Sequence, residues 1–255
     1  MFKYVLAALM CLGTPALSQI PNDLARAEMA PGWRDGTTHV AGLTIRMAPG
    51  WKTYWRAPGE AGIPPGFNWS GSSNVAGVDV RFPVPEVYEA HGMRSIGYSD
   101  QVTLPLVIRA RDPSRPITLR GEIRIGVCEE ICVPVSLEVE TQLPASGARD
   151  GRLVALLNDQ PDKGGALTCQ ITPIADGLRL SAAVSLPDMP GEEIAVIETG
   201  DPEVWVSSPK LTRKNDQLHA DVELVAPTAK PFALARADVR MTVIAGGRAV
   251  EMLGC

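Results

Sequence analysis

The sequence predicts an all-β protein, with two β-sandwiches in tandem joined by a segment that holds one short helix. Three observations carry this. Apolar residues recur with a period of two in run after run, the pattern of strands with one face buried. Glycine and proline are abundant, 24 and 22 of 255 residues, and they punctuate those runs at the short intervals of a sandwich rather than a helical bundle. The character of the chain also breaks near residue 144, where Pro144, Ala145, Ser146 and Gly147 read as a linker.

The first elements belong to export. Lys3 gives a positive start, residues 5–13 form a short apolar run, and Ala16-Leu17-Ser18 before Gln19 fits the small-x-small cleavage pattern. Residues 1–18 are therefore expected to be a signal peptide. The apolar run is shorter than the roughly 20 residues that a membrane span needs. Cys11 leaves with the leader, because Met10 is too bulky for a lipidation site. A soluble protein in an oxidising compartment, the periplasm of a Gram-negative cell, is expected, and there cysteine pairs persist.

Residues 19–143 form the first expected domain. Residues 40–47, 75–82, 102–108, 117–127 and 133–139 read as strands, and Pro105 marks the third as an edge strand or a bulge. Residues 144–164 form the linker, with Asp150 capping a helix over residues 151–158. Residues 165–255 form the smaller second sandwich, with strands at 166–174, 178–186, 194–198, 218–225 and 239–244. This domain reads as a scaffold or a partner-docking module.

With 24 basic and 29 acidic residues the net charge is −5, which argues against nucleic acid as a partner. The chemistry concentrates in residues 126–134, GVCEEICVP. Two strand-like runs flank a three-residue connection, which describes a tight hairpin. The apolar residues on either side are odd-numbered, whereas Cys128 and Cys132 are even-numbered. Both sulfurs then leave the hairpin on the face opposite its apolar stripe, close enough to bond. A disulfide closing so short a loop contributes little chain entropy, so a purely structural role uses the pair poorly. Glu129 and Glu130 disfavour a thiolate beside them, which makes the cysteines sluggish until a partner or neighbour activates one. No metal-ligand spacing, phosphate loop or catalytic triad accompanies them, and no cofactor is expected.

These residues carry a resemblance. Residues 49–56 (PGWKTYWR), 58–65 (PGEAGIPP), 97–98 (GY), 102–105 (VTLP) and 126–134 together resemble the N-terminal periplasmic domain family of the thiol:disulfide interchange protein DsbD, in its ScsB-like branch. The resemblance covers residues 32 to about 143, and that branch carries a similar second β domain. It implies an immunoglobulin-like fold and a thiol-disulfide oxidoreductase whose catalytic Cys128 and Cys132 take electrons from a membrane thiol carrier and pass them to thioredoxin-fold periplasmic proteins. It also implies a cap loop over the pair at residues 88–93, with Cys132 as the attacking thiol on downstream substrates. Better-known members have five residues between the cysteines, where this chain has three. The transmembrane carrier and thioredoxin-like domain of full-length members do not follow here, so the donor is expected to be a separate protein and this chain a monomer.

Nine of the eleven aromatic residues beyond the leader lie between Trp33 and Tyr98. Trp69 and Phe82 read as core. Tyr54, Trp55, Tyr88 and Tyr98 are candidates for shielding the sulfurs and shaping a docking surface, and His91 of the cap is a candidate proton acceptor. His39 and His219 stand alone in strand-like runs. Cys169 and Cys255 are expected to form a structural disulfide, with a free or intermolecular thiol as the alternative. The rival to exchange is a non-catalytic binding module that keeps Cys128–Cys132 as a staple.

Overall fold

The computed structural model describes residues 23–60, 62–90 and 92–255, so the leader expected over residues 1–18 and the candidate His91 lie outside the described residues. The first domain opens with β1 (Ala25–Asp35), β2 (Thr38–Met47), β3 (Lys52–Gly59), β4 (Gly66–Asn68) and β5 (Val75–Val80). It continues with β6 (Glu86–Ala90), β7 (Met93–Ser99), β8 (Gln101–Ala110), β9 (Ile117–Cys128) and β10 (Cys132–Leu143). One sheet runs β1-β2-β8-β5 and the other β10-β9-β3-β7-β6, with β4 on the flank of β9. Their inner faces share one core, Leu43, Ile45, Leu104 and Leu106 from the first sheet meeting Trp55, Ile117, Leu119 and Ile123 from the second. The pattern is that of an immunoglobulin-like sandwich.

Pro105 sits in β8 between β2 and β5, which corrects the expectation of an edge strand or a bulge. The ladder tolerates it because β5 ends at Val80, opposite Leu106. Beyond that point the Pro105 carbonyl accepts from the Arg81 amide at 2.8 Å, and no strand partner remains to want the missing N–H. The period of two also misses β1, β3, β4, β6 and β7. In β1 the register shifts between Ala30 and Trp33, around Gly32 at φ +61°, and this bulge breaks the alternation.

The helix α1 (Gly151–Asn158) has the expected bounds and cap, with Asp150 accepting from the amides of Arg152 and Leu153. It docks on the first domain, burying Leu153 against Trp33 and Val40. The second domain comprises β11 (Asp162–Lys163), β12 (Leu167–Ile174), β13 (Gly177–Ser185), β14 (Ile194–Glu198) and β15 (Trp205–Val206). It ends with β16 (Lys210–Lys214), β17 (Gln217–Val225), β18 (Arg240–Ala245) and β19 (Arg248–Leu253). Its sheets run β11-β19-β18-β14 and β12-β13-β17-β15, with β16 also on β17. Cys169 in β12 is bonded to Cys255, which ties the end of the chain to the sheet across 86 positions.

The two domains share apolar packing. Ile194, Val196, Ile244 and Ala249 of the second domain belong to the same buried cluster as Trp55 and Ile96 of the first. Polar contacts frame that seam: Arg56 with Glu198 and Glu251, Arg94 with Glu192, and Ser208 donating to Glu60.

His39 in β2 is fully buried, and its Nε2–H donates to the Pro31 carbonyl at 2.5 Å. Nδ1 has no hydrogen-bond partner among the described residues. Burial holds the imidazole below its usual range, and the Arg34 charge across the strand pair adds to this. Below about pH 6.5 the unfolded chain takes up a proton that the folded chain refuses, so stability falls as the pH drops through that window. Thermal unfolding between pH 7.5 and about pH 5 should show a loss of Tm that is smaller in a His39→Gln variant; equal slopes would show that His39 stays paired or accessible.

Candidate functional site

The hairpin of β9 and β10 holds twelve consecutive antiparallel pairs, from Ile117↔Leu143 to Cys128↔Cys132. Along it Ile117, Leu119, Ile123 and Val127 are fully buried on the core side, and the cysteines fall on the other face. Cys128 and Cys132 are bonded, with Cα atoms 4.2 Å apart. The Glu129 amide closes the turn onto the Ile131 carbonyl at 3.1 Å, leaving Glu129, Glu130 and Ile131 exposed at the tip.

The two sulfurs differ in access. Cys128 is 1 % exposed, whereas Cys132 is an exposed residue. What covers Cys128 is β3. Lys52 pairs with Cys128 in register, and Thr53 Oγ1 donates to the Gly126 carbonyl at 2.9 Å, fastening β3 to β9. Tyr54 then reaches the disulfide, its hydroxyl 2.8 Å from Cys128 Sγ and 3.2 Å from Cys132 Sγ. In the oxidised pair neither sulfur has a proton, so the tyrosine O–H is the donor toward them. Burial pushes the Tyr54 hydroxyl above its usual range, which keeps the donor protonated.

The connection from β3 to β4 lies over this arrangement. Gly62 packs on the Tyr54 ring so closely that a Cβ there would come 2.8 Å from Cδ1, and Ile63 seats on Gly126, where a Cβ would come 2.7 Å from the Ile63 Cβ. On the other side β7 approaches β3 without clearance. Gly97 pairs with Tyr54, and a Cβ on Gly97 would stand 2.0 Å from the Thr53 carbonyl oxygen. The glycine is a steric requirement for seating Tyr54.

The other aromatic candidates separate. Trp55 is fully buried in the core, with the Arg56 guanidinium 4.0 Å from its ring centroid, so it packs the domain rather than presenting a docking surface. Tyr98 is also in the core, and its hydroxyl donates to the Pro83 carbonyl at 2.8 Å. Burial drives its ionisation well above the usual range. Both follow from strand pairing: Trp55 faces away from its neighbour Tyr54, and Tyr98, paired with Thr53, shares the core side with Ile96. Tyr88 on β6 lies nearer the pair's surroundings, with the Lys52 ammonium 4.8 Å over its ring. Its hydroxyl donates to Glu86 Oε2 at 2.5 Å, and burial together with Glu86 raises its ionisation. Lys52, Gly62 and Ile63 were not marked as site residues by sequence reasoning. The punctuated PGEAGIPP run was the available signal for the last two.

Chemically the site is a disulfide between a buried and an exposed cysteine, with one tyrosine hydroxyl on both sulfurs. Among the described residues no group of three or more histidine, cysteine or carboxylate side chains could hold a metal ion.

Residues 22–144 match the family model described as thiol:disulfide interchange protein DsbD, N-terminal. Among solved structures, the N-terminal periplasmic domain of ScsB from Proteus mirabilis is similar to this chain, with a TM-score of 0.64 and 21 % identity over 93 % of this chain and 95 % of that one. That likeness extends across both domains and shows the fold. Among curated proteins no sequence matches closely enough to add a further relative.

Gly97→Ala should cost about 1–3 kcal/mol in denaturant unfolding, as overpacking does in a filled site. Gly151→Ala, at a helix start with open space around it, should be neutral or stabilising. Equal stabilities for the two variants would contradict the close approach of β7 to β3.

Proposed function

We propose, for a chain whose residues 22–144 belong to the family of the DsbD N-terminal domain, that it is a thiol–disulfide exchange protein of the periplasm. It relays reducing equivalents from a separate membrane thiol carrier to thioredoxin-fold partners through Cys128 and Cys132. The observation that carries this reading is the unequal exposure of the two cysteines, Cys128 buried and Cys132 exposed, with the Tyr54 hydroxyl nearer the buried one.

The chemistry follows from that inequality. A donor thiolate attacks Cys132 Sγ, the accessible sulfur, and forms a mixed disulfide. The Cys128–Cys132 bond breaks, and its electron pair goes to Cys128 Sγ, where the developing thiolate meets the Tyr54 O–H. A hydrogen bond to a charged acceptor is stronger than one to a neutral disulfide, so Tyr54 favours the departure of this sulfur. The donor's second thiolate then attacks the mixed disulfide; the donor leaves oxidised and the pair is reduced. Toward a downstream partner the sequence reverses. The Cys132 thiolate attacks the partner's disulfide, the partner's leaving sulfur takes a proton, and Cys128 resolves the mixed disulfide to release the partner as a dithiol.

A staple is a poorer use of the same geometry. The hairpin already has its full ladder of register pairs, and closing a loop this short adds little entropy. The second domain in this reading is a scaffold that holds the first, and Cys169–Cys255 is its structural tie.

The order of attack is tested by trapping. A Cys128→Ala variant, which keeps the exposed Cys132, should accumulate mixed disulfides with thioredoxin-fold proteins when expressed in its host. Cys132→Ala, which keeps only the covered sulfur, should accumulate at least about tenfold less, a factor worth roughly 1.4 kcal/mol of barrier. Capture by neither variant would remove the exchange reading, and stronger capture by Cys132→Ala would reverse the roles of the two sulfurs.

A further inference from the structure

Immediately after Tyr54 the pairing of strand β3 with β7 is interrupted by a bulge. Lys52, Thr53 and Tyr54 pair with Ser99, Tyr98 and Gly97, but the next register pair is Gly59 with Ser95. Four residues, Trp55 to Pro58, thus stand opposite Ile96 alone, and β9 pairs with β3 only at Lys52. Pairing resumes at Gly59, and the Glu60 amide donates to the Arg94 carbonyl at 3.2 Å, so it is within the bulge that side chains do most to position the strand.

At the centre of that unpaired stretch is Arg56. Its guanidinium forks onto Glu198, with Nε–Oε1 at 3.1 Å and Nη2–Oε2 at 3.1 Å, and Nη2 also meets Glu251 Oε2 at 2.5 Å and Thr242 Oγ1 at 3.4 Å. All three partners belong to the second domain. The pairs are mostly sheltered, with 18 % of the arginine side chain exposed and 23 % and 26 % of the two glutamates. Such a fork fixes direction as well as distance, which a single-point cation does not. Arg240 reaches Glu251 from behind at 3.6 Å and completes the charge balance.

We propose that Arg56 is a positioning residue for exchange at Cys128–Cys132: its ion pairs with Glu198 and Glu251 hold β3 across the bulge where strand pairing is interrupted, and so keep the Tyr54 hydroxyl on the two sulfurs. The second domain then acts on the redox site through one arginine, without touching the sulfurs itself. This rests on the exchange reading above and adds to it a route by which movement of the second domain changes the reactivity of the pair. The shared apolar seam of Ile194, Val196, Ile244 and Ala249 keeps the domains together when the arginine is removed, so the effect on Tyr54 can be separated from loss of the fold.

The test is a double-mutant cycle on the full chain. Reduction of Cys128–Cys132 by dithiothreitol is followed by timed alkylation and mass spectrometry, which reads this pair apart from Cys169–Cys255. Tyr54→Phe should slow reduction about tenfold, the range expected for losing a hydrogen bond to a charged sulfur. Arg56→Met should slow it about threefold or more, and Arg56→Lys should recover part of that loss. In the Y54F background Arg56→Met should have no further effect. Equal slowing in both backgrounds, a wild-type rate for Arg56→Met with only a lowered Tm, or a wild-type rate for Tyr54→Phe would each overturn the proposal. If Arg56→Met does not fold, the double variant Glu198→Gln, Glu251→Gln stands in for it with the same expectations. Because the reductant is a small dithiol, this cycle is readable even if trapping finds no protein partner, and the two ideas fail separately.

Discussion

The antiparallel register that sets Cys128 opposite Cys132 is the constraint on which the site depends. Because side chains alternate along a strand, the same register that turns Ile123, Ile125 and Val127 into the core must turn both cysteines out of it. A slip of one residue would exchange the two faces, burying sulfur and exposing valine. Packing of the sandwich therefore enforces the orientation of both cysteines.

Orientation alone would leave two equivalent sulfurs, and β3 makes them unequal. It is stitched to β9 through Thr53 and to β7 at Gly97, and between these attachments it lays Tyr54 over Cys128. The result is a buried cysteine and an exposed one, with the Tyr54 hydroxyl on the sulfurs of both. Beyond Tyr54 the strand exchanges backbone pairing for the ion pairs of Arg56. The second domain is in this sense continuous with the site, sharing both an apolar seam and a charged fork with the strand that serves it.

How much of this was legible in the sequence follows from range. The β9–β10 hairpin, the short helix with its Asp150 cap and the all-β class all rest on local periodicity and turn chemistry, and the residues declare them. The division of the aromatic residues was not legible in the same way. Tyr54 and Trp55 are neighbours and so face opposite sides of the strand, and which side holds the sulfurs and which the core is set by how β3 pairs with β9 and β7. Pro105 misled for a related reason: its missing N–H matters only if a neighbouring strand continues past it, and where β5 stops is a property of the sheet. The partners of Arg56 lie about 140 and 195 positions away, at a distance no spacing rule reaches.

Everything above turns on whether Cys128–Cys132 exchanges or merely braces the hairpin. The most direct test is the reduction potential of that pair, measured by equilibration with a dithiol buffer and quantified for each disulfide by alkylation and mass spectrometry. A value above about −300 mV, within reach of cellular thiol donors and thioredoxin-fold partners, is the result the account predicts. A value well below about −300 mV would mark a structural bond and contradict it.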